Sequence, residues 1–315
     1  MGTMTHIAGR AAFSKAVDIV LKNADKDREK EITKLVDLME KYMGSEKIDV
    51  DYNKVKELIC DEDKTLNKYI NRLLDEINPH VLKTTALNLG YEAFFHGTKT
   101  IRKMREVHDC NVPWLILMDP TSACNLHCTG CWAAEYGNRL NLTFDEMDSV
   151  VTQGKELGIY LYMFTGGEPL VRKSDIIKLC EKHNDCAFLS FTNGTLVDEV
   201  FCQEMKRVGN LYLAISLEGF EAVNDLRRGD GVYGKVMNAM DLLKKNGLVF
   251  GTSICYTSKN TETVTSDEFI QLMVDKGCRY AMYFHYMPVG NDASVELLPT
   301  PEQRIYMKDR IRQIR

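Results

Sequence analysis

Apolar residues recur at intervals of three and four through the first third of the chain, then gather into short, nearly unbroken runs. "AAFSKAVDIVLKN", "EITKLVDLMEKYM", "TLNKYINRLLDEI" and "LKTTALNLGYEAFFHGTKTIRKMREV" follow the first rule, with few Gly or Pro residues between them. That spacing puts one apolar stripe on each helix and predicts an all-helical region over residues 1–110. From Pro113 the pattern switches. Runs at 114–119, 160–165, 187–192, 211–217, 249–256 and 280–286 read as strands buried on both faces, and amphipathic stretches between them read as helices.

The helix starts carry their own chemistry. Thr143 and Glu146 match a capping box, in which each side chain satisfies an otherwise orphaned backbone N–H. Ser174, Asp198 and Ser266 are predicted N-caps, and Thr300-Pro301 is a cap followed by proline at the first helical position. Six β/α rounds over residues 111–315 give an α/β fold, either an open doubly wound sheet or a barrel, complete or partial. Either way, ligands belong at the carboxyl ends of the strands. The helical region is expected to pack on this unit or on a partner subunit rather than act as a lid, a docking surface or a membrane-surface element. The pattern breaks off at Arg315 inside the sixth helix, so a C-terminal extension is expected to be missing.

Composition narrows the function classes. The chain has 315 residues, 44% hydrophobic and 27% charged, in the range of ordinary globular proteins. A net charge of −5 argues against a nucleic-acid-binding surface. No apolar run nears the roughly 20 residues that cross a bilayer, and no signal peptide is visible, so a cytoplasmic protein is expected. In that setting ten cysteines are not a disulfide framework. Cys60, Cys110, Cys180, Cys186, Cys202, Cys255 and Cys278 are scattered and read as structural.

The other three form "CNLHCTGCW", with Cys124, Cys128 and Cys131 just after the first strand. Thiolates favour zinc, copper(I) or iron–sulfur clusters. Zinc would need a fourth ligand, and His127 is too close in sequence to reach a separate tetrahedral corner easily. Three cysteines on a 4Fe–4S cube would leave one iron without a protein ligand. Further candidates follow the later strands. "TGGEP" supplies Gly166 and Gly167, which permit close backbone approach, then the Glu168 carboxylate and Pro169. "TNG" supplies Asn193, and "SLEG" supplies Ser216 and Glu218. In "NDLRRG", Arg227 or Arg228 could pair with a carboxylate through the guanidinium fork.

These motifs, in this order on successive strands, resemble the radical S-adenosylmethionine (radical SAM) superfamily over residues 111–315. The resemblance implies a partial (β/α)6 TIM-like barrel behind the helical region 1–110. It further implies a 4Fe–4S cluster on Cys124, Cys128 and Cys131. Gly166, Gly167, Glu168 and Pro169 would border the methionine amino group, Asn193, Ser216 and Glu218 the ribose or methionyl part, and Arg228 the carboxylate. Thr252 to Ile254 and Tyr286 to Pro288 would flank adenine. Many relatives carry an aromatic residue just before the third cysteine. That aromatic packs against adenine in the relatives; here Gly130 stands there and Trp132 comes after, so another side chain is expected to cover that face of adenine.

The implied activity is reductive cleavage of SAM to a 5′-deoxyadenosyl radical that abstracts hydrogen from a substrate, in an anaerobic enzyme served by a donor such as flavodoxin or ferredoxin. No catalytic acid or base is required to start it. "SLEG…ND…RRG" looks most like the branch that modifies peptides or proteins and carries C-terminal cysteine-rich extensions. Lipids and cofactor precursors are the other substrate classes. The competing reading is a non-catalytic iron–sulfur electron carrier or redox sensor on the same barrel.

Overall fold

A computed structural model of the chain describes residues 4–23, 26–43, 51–133, 139–290 and 293–315. Before the first strand every described element is helical: α1 (Met4–Asn23), α2 (Arg28–Met43), α3 (Tyr52–Cys60), α4 (Thr65–Glu76) and α5 (Pro79–Thr85). A π-helical run over Ala86–Gly97 leads into α6 (Thr98–His108). The joins at Thr85, Ala86, Gly97 and Thr98 all keep right-handed helical torsions, so Pro79–His108 is one rod. Asp109, with φ of +47°, ends it.

The β/α rounds follow: β1 (Leu115–Thr121), α7 (Phe144–Glu156), β2 (Leu161–Gly166), α8 (Lys173–Lys182), β3 (Ala187–Thr192) and α9 (Glu199–Val208). Then come β4 (Leu211–Ser216), α10 (Glu221–Arg228), α11 (Val232–Lys245), β5 (Phe250–Tyr256), α12 (Asp267–Asp275), β6 (Ala281–His285) and α13 (Pro301–Ile314). All strand pairs are parallel, and the order is β1-β2-β3-β4-β5-β6. Consecutive parallel neighbours with no β6–β1 pair make this the partial (β/α)6 barrel that the resemblance implied. The open sheet with a switch point is thereby excluded.

Strand interiors match the apolar runs to within two residues. The helix-facing side chains Tyr162, Phe164, Phe188, Phe250 and Ile254 are sealed in the main core. The Thr143–Glu146 capping box forms, Asp198 and Ser266 cap their helices, and Thr300 forms a second box with Gln303. Ser174 does not cap. A 3₁₀ turn at Pro169–Arg172 feeds straight into α8, whose helical torsions begin at Lys173. The proline starts the turn five residues ahead of Ser174, and the N-cap position of α8 falls at Arg172, two residues earlier than the Ser-based reading placed it.

The rod and the end of α4 are fastened to the end of the barrel where strands begin. Asn88 Nδ2 donates to the carbonyls of Asn184 and Cys186, just before β3, at 2.8 and 2.9 Å. Asn78 N donates to Gly247 O at 2.8 Å, before β5, and Glu76 pairs with Arg279, before β6, at 2.6 Å. Ile77, Val81, Ala93 and Ile101 join the main core from this side. A separate small core of Val20, Ile32, Val36 and Ile59 holds α1 to α3. These helices close the amino end of the barrel and leave its carboxyl end to the motif loops. Among the described residues no helix is long and apolar enough to cross a membrane.

Candidate active site

The cysteine loop departs from β1, where the β1–β2 register shifts between Met118 and Thr121. That irregularity re-aims the strand end, as bulges do. Two glycines then allow the next turn to approach within contact distance. A Cβ on Gly167 would lie 2.3 Å from the carbonyl oxygen of Ala123 and 2.5 Å from that of Ser122. Gly166 has φ of +104°, and its Cβ would lie 2.6 Å from Thr121 O. In that space Gly167 N donates to Thr121 O at 2.9 Å and Glu168 N to Ala123 O at 2.8 Å. The "GGE" backbone thus sets the register of the segment that enters Cys124.

Glu168 is 1% exposed. One carboxylate oxygen accepts from Leu170 N at 2.9 Å and from Thr192 Oγ1 at 2.7 Å. The other accepts from Asn193 N at 2.7 Å. Burial raises its pKa, and these hydrogen bonds oppose the rise. The side chain expected to meet a ligand ammonium is spent on tying the end of β2 to the end of β3. Asn193 is committed as well: its Nδ2 donates to Asn125 Oδ1, and its Oδ1 accepts from Thr195 N and Oγ1.

On the far side Glu218, also buried, takes both arginines. Its Oε1 accepts from Arg227 Nη1 at 2.7 Å and Arg228 Nε at 3.1 Å, with a further short bond from Arg228 Nη2. Its Oε2 accepts from Cys255 N at 3.1 Å. Arg228 Nη1 reaches Cys128 Sγ at 3.9 Å, and Thr129 N donates to Arg227 O at 2.9 Å. Two guanidiniums on one carboxylate leave a surplus positive charge beside the cysteine loop. Glu218 and Arg228 were expected as separate ligand contacts, and here they are paired with each other. Ser216, half-buried at the end of β4, sits at the same rim.

Cys124, Cys128 and Cys131 are all half-buried. Burial pushes the thiols of Cys124 and Cys128 above their usual range. For Cys128 the two arginines pull the other way. One ion in a tetrahedral thiolate site needs sulfurs about 3.8 Å apart, from Zn–S bonds near 2.3 Å. Among the described residues the one set of three or more metal-binding side chains with all ligand atoms within 4.8 Å lies elsewhere, at the helical end. The three thiols share one loop at the strand ends and offer the soft donor set of a metal ion or an iron–sulfur cluster. Arg227 Nε is buried without a partner in the same wall, a donor left over for an anionic occupant.

The space beside Gly130 is occupied by an aromatic ring from another strand end. Gly130 has φ of +67°, and a Cβ there would lie 2.6 Å from Tyr286 Oη. Tyr286, buried just past β6, fills the space beside Gly130, and its hydroxyl accepts from Ser294 N at 2.9 Å. Trp132 is 44% exposed and starts the turn after the third cysteine. Sequence reasoning also missed Cys255, which it grouped with the scattered cysteines. It lies half-buried on β5 against Glu218, with its thiol pushed up to about 11 by burial while Arg227 and Arg228 draw it down. Its place near the carboxyl end of a strand was the available signal. A cavity of about 510 Å3 opens at this rim, lined by Asp119, Ser122, Leu140, Asn141, Leu142 and Gly166.

Comparison with known proteins places this arrangement. A sequence model of the radical SAM superfamily matches residues 118–273. An AdoMet-dependent heme synthase of Methanosarcina barkeri is 27% identical over 202 residues, 62% of this chain and 57% of that one. A PqqA peptide cyclase of Granulibacter bethesdensis is 28% identical over 200 residues, 61% of this chain and 52% of the relative. Streptococcus suis SuiB, solved bound to its precursor peptide SuiA, superposes with a TM-score of 0.57 at 17% identity. The match covers 90% of this chain and 60% of SuiB. The chain thus spans less than two thirds of the length of these relatives. The matched motif region and these sequence relatives make this chain a member of the radical SAM superfamily.

Proposed function

We propose that residues 111–315 are the catalytic core of a radical SAM enzyme, with a 4Fe–4S cluster on Cys124, Cys128 and Cys131 and S-adenosylmethionine as the second cofactor. The observation that carries this reading is the three-thiol loop itself. It is braced by the glycine pair on one side and the Arg227–Glu218–Arg228 cluster on the other. When bound, the reduced cluster supplies the electron that splits SAM into methionine and a 5′-deoxyadenosyl radical for hydrogen abstraction.

The chain's own contribution is positioning and charge. Gly166 and Gly167 hold the loop's register, and Glu168 with Pro169 locks the turn behind it. The surplus cation beside Cys128 favours an anionic cluster and an anionic SAM carboxylate. When SAM is bound, Asn193 and Ser216 at the strand ends would border its ribose or methionyl part. We assign the substrate to peptides or proteins, in keeping with the printed names of the PqqA peptide cyclase and of SuiB with its precursor peptide. The name of the heme synthase relative keeps a cofactor precursor in view, and a lipid is the remaining class. A cytoplasmic flavodoxin or ferredoxin would supply the electron.

The test is anaerobic reconstitution, reduction with dithionite and addition of SAM. Methionine and 5′-deoxyadenosine should appear, and should not appear with a Cys124→Ala, Cys128→Ala, Cys131→Ala triple variant. Cluster-replete protein that releases neither would replace the enzyme reading with an electron carrier or redox sensor.

A further inference from the structure

The closed, amino end of the barrel carries a second group of metal-type ligands. His6 on α1 and Glu92 and His96 on the π-helical run bring one ligand atom each to within 4.8 Å of one another. Glu92 is 1% exposed. Its two oxygens are divided: Oε1 lies 2.7 Å from Arg10 Nε, and Oε2 lies 2.9 Å from His6 Nε2. Arg10 also donates to Asn88 Oδ1 at 3.2 Å, which fixes the guanidinium behind the carboxylate. One oxygen is therefore held by a charged partner outside the cluster, and the other is turned toward imidazole.

The 2.9 Å separation is close to the roughly 3 Å between adjacent ligands of a six-coordinate ion with bonds near 2.1 Å. The His6 and His96 rings stack with centroids 3.6 Å apart and planes 10° apart, so both nitrogens can face one ion only if a ring turns out of the stack. The space for that turn exists. A cavity of about 610 Å3 is lined by His6 and His96 together with Gly9, Phe13, Tyr91 and Lys99. Two of the three ligands, Glu92 and His96, also sit on a π-helical run of twelve residues, in a conformation that is rare beyond a single turn and that concentrates at functional sites.

We propose that His6, Glu92 and His96 bind one divalent first-row transition ion, iron(II) or zinc(II), with Arg10 orienting the carboxylate from outside the coordination sphere. Two imidazoles and one carboxylate are the donor set such ions take with positions left open, and here the open positions face the cavity. The site lies at the opposite end of the strands from the cysteine loop: His96 meets Tyr160, just before β2, ring to ring at 5.9 Å. It is independent of the proposed SAM chemistry.

Cobalt(II) is the probe, titrated anaerobically into the cluster-replete full chain. One equivalent should bind beyond the cluster iron, with visible ligand-field bands and no thiolate charge-transfer band, and should raise the unfolding midpoint. His96→Ala should weaken that binding at least about tenfold. Because the variant also loses the ring packed against His6 and Tyr160, the reading is the cobalt-induced rise in midpoint, which should shrink when each protein is compared with its own metal-free value. The proposal is overturned if wild type binds no additional cobalt, if binding is unchanged in His96→Ala, or if the bound cobalt shows thiolate bands. A buried His–Glu–Arg latch that merely fastens α1 would give the first result. Should His96→Ala fail to fold, the wild-type stoichiometry and spectrum decide alone.

Discussion

Replacing Gly167 with alanine puts a methyl group where the backbone of the cysteine loop already runs. The new Cβ would sit 2.3 Å from Ala123 O, 2.5 Å from Ser122 O and 2.6 Å from the Ala123 carbonyl carbon. Real contacts of this kind stay above 3.0 Å, so the segment must retreat by at least 0.7 Å, the difference between 3.0 and 2.3 Å. Every obstructing atom is backbone, so no rotamer change relieves the clash. The retreat stretches the bonds from Gly167 N to Thr121 O and from Glu168 N to Ala123 O, now 2.9 and 2.8 Å. Overpacking costs about 1–3 kcal/mol and each strained hydrogen bond about 1 kcal/mol, while the stiffer unfolded chain returns about 0.4–1 kcal/mol. The net expectation is about 2–4 kcal/mol of destabilisation by these figures, with a displaced Cys124. Urea unfolding of the apo chain measures the first, and iron per chain after reconstitution measures the second. Gly234→Ala is the control. Nothing lies within 4 Å of its Cβ position inside α11, so it should stabilise by about 0.5–1 kcal/mol. A Gly167→Ala protein within about 0.5 kcal/mol of wild type, carrying full iron, would refute the register argument.

Three further outcomes follow from the same geometry. Alanine at Cys124, Cys128 and Cys131 together should remove the brown absorbance near about 400 nm expected of a 4Fe–4S cluster, and colour that survives would move the cluster to the remaining cysteines. Arg228→Gln removes a cation 3.9 Å from Cys128 Sγ, so the cluster's reduction potential should fall by on the order of tens of millivolts in an EPR-monitored redox titration. An unchanged or higher potential would contradict the charge argument. Cluster assembly should strengthen with pH. The Cys124 and Cys128 thiols have raised pKa values and hold their protons near neutrality, and ligation releases them. Affinity should therefore rise by up to about tenfold per pH unit for each thiol until the pH passes its pKa, and a flat profile from pH 7 to about 9 would count against buried thiol ligands.

The barrel was legible because parallel strands covered on both faces are written as apolar runs. Ala187–Thr192 was placed to the residue, and the other strands were off by one or two at their ends. The ends slipped where local chemistry overrides pattern. β1 runs through Pro120 to Thr121 because its register shifts near the cysteine loop, and Pro169 starts a turn ahead of Ser174. The π-helical run was invisible, since apolar spacing of three and four does not distinguish it from an α-helix. The loops were correctly marked as the place of interest, but the partners inside them were not. Glu168 and Glu218 read as free acids, and only the fold brings Thr192, Asn193, Arg227, Arg228 and Cys255 onto them from other strands and helices. A carboxylate's partners across strands are long-range facts that no local spacing encodes.

The central claim is that three cysteines leave one iron of the cluster open for SAM. EPR of the dithionite-reduced, reconstituted protein, recorded before and after SAM is added, tests it most directly. The account predicts a reduced cluster signal whose g values shift when SAM is added. The same shift should be absent when 5′-methylthioadenosine, which lacks the amino and carboxylate groups that could reach an open iron, replaces it at equal concentration. An identical spectrum with and without SAM, in protein holding four irons per chain, would mean that the fourth iron is already ligated and would contradict the account.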